Sequence, residues 1–111
     1  MKALVLTTHV PPEALQVREH PEPVVRPAGK IRVAVRAAGS NFADSMARQC
    51  VYPAAPKPTC ILGYEIAGTV ESVGYGVTSW KVGDRVIAAT RFGGFAELVV
   101  VGENDAISCL Q

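Results

Sequence analysis

Asn41, Tyr52 and Glu65 are polar side chains whose surroundings could give them chemistry. Asn41 follows an apolar, strand-like run and precedes a loop containing Pro53, Pro56 and Pro58. Its amide could point into a cleft and hold a ligand, or simply cap a helix. Tyr52 could be a core aromatic, or a hydroxyl at a cleft rim that positions a ligand. Glu65 lies between Tyr64 and Ile66 in an apolar run, so its carboxylate is expected to be partly buried and to need a partner. Arg85 or backbone amides could serve, and a structural ion pair is weighed ahead of a catalytic base. From physics alone the plain readings of Asn41 and Tyr52, cap and core aromatic, come first.

Other candidates are weaker. His9 and His20 sit beside prolines in connectors, without acidic or cysteine partners at ligand spacing, and read as surface histidines. Cys50, Cys60 and Cys109 are odd in number and form no C-x-x-C pair, so a disulfide framework is not indicated, a reduced, intracellular setting is the default, and they read as ordinary small apolar side chains. Gly74-Tyr75-Gly76 starts like a dinucleotide fingerprint, but Ser79 stands at the third glycine. A further turn follows instead of a helix, which leaves no helix N-terminus for a pyrophosphate.

The elements that must position these residues are mostly strands. Ile31 to Ala38 alternates, with Ile31, Val33, Val35 and Ala37 on one face and Arg32, Ala34 and Arg36 on the other. Lys2 to Thr7, Leu15 to Glu19, Ile66 to Val73, Arg85 to Ala89 and Phe95 to Val101 also read as strands, the second with one wet face and the third bent at Gly68. Gly74-Tyr75-Gly76 and Lys81-Val82-Gly83-Asp84 read as turns, with Gly83 and Asp84 as structural residues. Ser40 or Asn41 opens a helix of about two turns, and Asp44 completes an acidic capping box with Asn41. Phe42, Met46 and Gln49 share one face of it, and Tyr52-Pro53 disfavours its continuation. Short strands, glycine turns and one short helix indicate a mainly β, mostly antiparallel barrel or sandwich.

Composition limits the roles open to such a domain. The 111 residues suit one folded unit, with 49% apolar and 19% charged residues and a net charge of +1. No basic run suggests nucleic acid. No uncharged apolar run approaches the roughly 18 residues of a membrane span, and the apolar start is too short for a signal peptide.

The ordered motifs carry a resemblance. R-A-A-G-S-N-F-A-D-S-M-A-R-Q from Arg36, the proline loop, G-Y-E-I-A-G-T-V-E-S-V-G from Gly63, V-x-x-W-K-V-G-D-R-V from Val77 and G-G-F-A-E from Gly93 resemble the N-terminal domain of medium-chain dehydrogenase/reductases. Within that superfamily the chain is similar to the zinc-independent quinone oxidoreductases, and the Asn41 to Gln49 run is similar to the synaptic-vesicle membrane protein branch, the vesicle amine transport homologues. The resemblance implies a GroES-like, partly open β-barrel with short helices over residues 1–111, with the usual Rossmann cofactor domain absent. It implies NADPH in the full-length family and a cleft to which Asn41, Met46, Tyr52 and Tyr64 contribute, with Asp44, Glu65, Gly83 and Asp84 as structural residues.

In zinc alcohol dehydrogenases of this superfamily, a cysteine and a histidine stand where this chain has Asn41 and Tyr64. Ala43 stands at the position of a proton-relay hydroxyl. An amide and a phenol are poor replacements for thiolate and imidazole at tetrahedral zinc, so the pattern implies no metal. Many quinone oxidoreductases also carry a tyrosine where Met46 stands; the vesicle-protein branch has methionine. The implied activity is hydride transfer from NADPH to a quinone or other carbonyl compound, in a cytoplasmic protein or one peripherally attached to vesicle or organelle membranes. For this chain alone the expectations are no tight NADPH binding, no zinc, self-association through apolar surface, and an interaction or regulatory role as the alternative to catalysis.

Overall fold

A computed structural model describes residues 1–7, 15–24, 28–39, 60–90 and 92–108. Eight strands make up most of that chain: β1 Lys2–Leu6, β2 Leu15–Glu19, β3 Lys30–Gly39, β4 Cys60–Ile61, β5 Glu65–Val73, β6 Arg85–Ala89, β7 Leu98–Gly102 and β8 Ala106–Ser108. A 3-10 turn, Glu103–Asp105, joins the last two. The helix read over residues 41–50 and the proline loop fall outside the described residues. No helix among the described residues is long and apolar enough to cross a membrane.

All pairings between these strands are antiparallel, in a three-stranded sheet β2-β1-β4 and a five-stranded sheet β7-β3-β5-β6-β8. Glu97 joins the two sheets. Its amide donates to the Lys2 carbonyl at 3.1 Å, and its own carbonyl accepts from the Val35 amide at 2.9 Å. Its side chain also accepts from the Lys2 amide. With the Ala3–Ala96 bridge and the Leu4 amide on the Phe95 carbonyl, this bends the segment before β7 onto β1. Phe95 to Glu97 is spent on that junction, and for this reason β7 starts at Leu98, later than the alternation at Phe95 indicates.

The core follows from alternation. Ile31 and Val33 of β3, Ile66 and Val70 of β5, Val86 and Ala88 of β6, and Val99 and Val101 of β7 turn inward and pack together. Burying each valine or isoleucine contributes about 1.5–3 kcal/mol. Trp80 packs against this cluster and donates its indole N–H to the Glu103 carbonyl at 2.9 Å, which ties the β5–β6 connection to the turn before β8. β2 departs from its expected half-buried character. Gln16 to Glu19, on the outer strand of the three-stranded sheet, are all exposed, Val17 at 70%.

Two irregularities reshape the central β3–β5 pair. Val35 faces Gly68 while Ala37 faces Ala67, so Arg36 is an extra residue on β3. Arg32 faces Ser72 while Val33 faces Val70, so Glu71 is the extra residue on β5. A bulge inverts the side-chain alternation beyond it. Ala37 is accordingly exposed, correcting its assignment to the buried face of Ile31 and Val33. Gly68 lies against the Ala34 backbone: a Cβ there would collide with the Ala34 carbonyl oxygen.

The turn at Lys81–Asp84 is closed at both ends. The Asp84 carboxylate accepts from the Lys81 amide at 2.8 Å, and the Asp84 amide donates to the Lys81 carbonyl at 3.0 Å. Gly83 holds φ +98°, which a side chain would strain, and its amide reaches the Val70 carbonyl at 2.9 Å.

The bulge at Glu71 also gives Arg32 a partner. Arg32 Nε and Nη2 donate to the two Glu71 carboxylate oxygens at 3.0 and 2.6 Å, while Nη1 donates to the Pro23 carbonyl at 3.0 Å. The fork thus ties the proline connector after β2 to the barrel. Hydrogen bonding to Arg32, then to Ser72, holds the Glu71 carboxyl below its ordinary value of 4.5. The Glu71 hydrogen bond raises the Arg32 guanidinium above its ordinary value, against the opposing effect of burial. A carboxyl depressed on folding stabilises the protein above its unfolded pKa and stops doing so as acid protonates the folded form. Chemical denaturation of wild type and Glu71→Gln should therefore differ by about 0.5–1 kcal/mol at neutral pH, and converge as pH falls below 4.5. A gap unchanged into strong acid would contradict this account.

Candidate functional site

The described part of the candidate cleft lies where β3 ends and β5 begins. Gly39, the last residue of β3, pairs with Glu65, the first of β5. Tyr64 precedes it in the bend after β4, and Thr90 and Phe92 follow β6 on the other side. Two glycines let the backbones meet here. Gly63 has φ +112°, and a Cβ on it would lie 2.8 Å from the Phe95 amide nitrogen. A Cβ on Gly94 would lie 3.1 Å from the Gly63 carbonyl oxygen.

Tyr64 is fixed from two directions. Its carbonyl accepts from the Thr90 amide at 2.7 Å, and its ring meets Phe92 with centroids 5.2 Å apart and planes tilted by 59°. Thr90 is itself buried, and its hydroxyl donates to the Gly63 carbonyl at 2.5 Å. One threonine therefore holds both residues of the Gly63-Tyr64 bend. Motif reading singles out Tyr64 and misses Thr90 and Phe92. The signal that could have found Thr90 is its place directly after the strand Arg85–Ala89, where a hydroxyl can satisfy a nearby carbonyl.

For Glu65 the structure overturns the expectation of burial. The carboxylate is exposed, because β5 turns Ile66 inward and Glu65 outward. Its side chain lies over Gly39, where a Cβ would collide with it. Arg85 is no partner: it faces Thr69, whereas Glu65 faces Ala89, a separation of about 13 Å along the strands. No ion pair among the described residues includes Glu65.

Gly83 and Asp84 belong to the turn entering β6, at the opposite end of that strand from the Tyr64 corner. His20 is exposed, with its ring Nδ1 2.9 Å from the Pro21 carbonyl oxygen. Asn41, Asp44, Met46 and Tyr52 lie outside the described residues, as do His9, Cys50 and Cys109. Among the described residues, no three His, Cys, Asp or Glu side chains gather as a metal would require.

Beside the corner, a concavity of about 380 Å³ opens on the outward sheet face, lined by Ala37, Ala38, Gly39, Glu65, Ile66, Ala67 and Ile87. That size suits a small molecule. Its walls are apolar except for Glu65, so it can offer shape and exclusion of water but only a single charge.

The strand order, the Gly63-Tyr64-Glu65 corner and the Trp80 anchor define the class. The chain belongs to the alcohol dehydrogenase GroES-like domain family, whose model matches residues 27–110. Among its relatives, a synaptic vesicle membrane protein VAT-1 homolog of Danio rerio is 39% identical over 90% of this chain and 21% of its own length. A quinone oxidoreductase of Pseudomonas aeruginosa is 43% identical over 86% of the chain and 29% of its own length. The crystal structure of Escherichia coli quinone oxidoreductase complexed with NADPH superposes with a TM-score of 0.90 and 31% identity, over 97% of this chain and 33% of that one. The chain thus spans about a fifth to a third of the length of these proteins.

Replacing Thr90 by valine keeps the shape and removes the hydroxyl that the Gly63 carbonyl accepts from, while the longer 3.3 Å contact from the Gly94 amide remains. Urea denaturation should show a loss of about 1–2 kcal/mol. Hydrogen exchange should accelerate at Thr90 and Gly94 more than in β3. Uniform acceleration across the barrel would show that Thr90 stabilises the fold without holding the corner.

Proposed function

We propose that this barrel is the substrate-side domain of a zinc-independent quinone-oxidoreductase-like protein, related to the synaptic-vesicle branch. The parent activity would be reduction of a quinone or enone by hydride from NADPH. The observation that carries this reading is the corner at Tyr64. Thr90 and Phe92 hold Tyr64 there, and by the family resemblance this is the residue standing where a zinc enzyme of the superfamily has a histidine. With Asn41 matching the cysteine position by the same resemblance, the pair would be an amide and a phenol, a poor donor set for a tetrahedral divalent metal. Tyr64 would form one wall of the cleft, and Asn41, Met46 and Tyr52 would complete it.

The described residues do not fit the cofactor as its principal holders. Gly74-Tyr75-Gly76 forms a bend in which the Val77 amide returns to the Gly74 carbonyl at 3.3 Å, and it leads to Trp80 and a second turn. No helix N-terminus stands at that bend to receive a pyrophosphate. The described residues would therefore contribute a wall against substrate and nicotinamide, not a seat for the cofactor's phosphates.

A second reading, a non-catalytic interaction domain, is favoured by Ile87 and Ile107. They face each other across β6 and β8 and are 43% and 65% exposed.

The purified 111-residue chain should show no saturable quenching or enhancement of NADPH fluorescence. It should leave NADPH oxidation in the presence of a quinone at the uncatalysed rate, and elemental analysis should find zinc well below one per chain. Quinone-dependent NADPH oxidation would overturn the assignment of a wall alone, and stoichiometric zinc would overturn the metal-free reading.

A further inference from the structure

The outward face of the larger sheet carries two arginines that the cleft does not use. Arg36 is the extra residue of the β3 bulge, and Arg85 opens β6 opposite Thr69. Both are exposed, and both line one concavity of about 350 Å³ with Ala67, Gly68, Thr69 and Val86. Arg32, also on β3, differs from them, since all three of its guanidinium nitrogens are engaged by Glu71 and the Pro23 carbonyl. No carboxylate among the described residues pairs with Arg36 or Arg85. Two like charges at one concavity repel each other, and that cost is recovered when an anion sits between them.

The concavity runs on, through Ala67, into the apolar one beside the Tyr64 corner. Cross-strand pairs order the face: Thr69 with Arg85, then Ala67 with Ile87, then Glu65 with Ala89. A basic end and an acidic end thus stand about 13 Å apart, with an apolar floor between them. An inorganic anion would use only the basic end. A second anionic group near the far end would be repelled by Glu65.

We propose that this face binds an amphiphilic anion, a single phosphate or carboxylate head on an apolar body, with the head on Arg36 and Arg85 and the body over Ala67 and Ile87. Guanidinium forks suit both heads, since each presents paired oxygens. The apolar body adds burial of Ile87, which is otherwise 43% exposed.

Isothermal titration of the full chain with octyl phosphate, octanoate and inorganic phosphate tests this, alongside amide chemical-shift mapping. Octyl phosphate or octanoate should saturate, with inorganic phosphate at least about tenfold weaker because it lacks the body. The better of the two amphiphiles identifies the head. Shifts should cluster at residues 36, 67–69 and 85–87. Arg36→Gln with Arg85→Gln should weaken the amphiphile at least about tenfold, and added salt should weaken wild-type binding. Ile87→Ser should weaken the amphiphile and leave inorganic phosphate unchanged. Arg18→Gln, on the other sheet, should change nothing, and circular dichroism and melting of each variant report folding. The proposal is overturned if neither amphiphile saturates, if the double arginine variant binds as wild type does, or if the shifts gather elsewhere.

Discussion

The backbone of Gly68 presses against the Ala34 carbonyl so closely that no side chain fits between β5 and β3. This approach holds the two central strands in one register between two bulges. Before Gly68, the extra Arg36 turns Ala37 outward and carries Gly39 to a place opposite Glu65. After it, the extra Glu71 reaches Arg32 and through it the connector at Pro23. The core strands on either side, β6 and β7, take their positions from this pair. The corner at Tyr64 and the arginine-lined face are both consequences of where the β3 bulge falls.

Much of the strand content was legible because alternation reports a half-buried strand directly. Arg85–Ala89 and Leu15–Glu19 have the bounds that their pattern indicates. Bulges were not legible, since one extra residue leaves the local pattern apolar and polar in turn while reversing every side chain beyond it. Ala37 falls on the opposite face for that reason. β8 and the 3-10 turn escaped because three-residue pieces hold no period. Phe95 to Glu97 has strand-like composition, yet its backbone groups go to β1 and β3 at the sheet junction.

The candidate site was legible in part. Motif order marked Tyr64, but the residues that fix it come from the far end of β6, and sequence spacing carries no sign of that contact. The surroundings of Glu65 were not legible, because apolar neighbours in sequence need not be apolar neighbours in space. In a strand the adjacent residues point the other way, and Glu65 looks outward over a glycine. Solvent there removes the need for a buried partner.

Backbone approach, one threonine and a tilted aromatic pair fix the shape of the corner at Tyr64. That is consistent with membership of the alcohol dehydrogenase GroES-like family and with relatives among quinone oxidoreductases. The most direct measurement of the central claim is amide chemical-shift mapping of the labelled chain with tetramethyl-1,4-benzoquinone, a quinone whose ring carbons are blocked against thiol addition. Weak, saturable shifts are predicted at Gly39, Tyr64 and Thr90. Shifts confined to other surfaces, or none at quinone saturation, would contradict the claim.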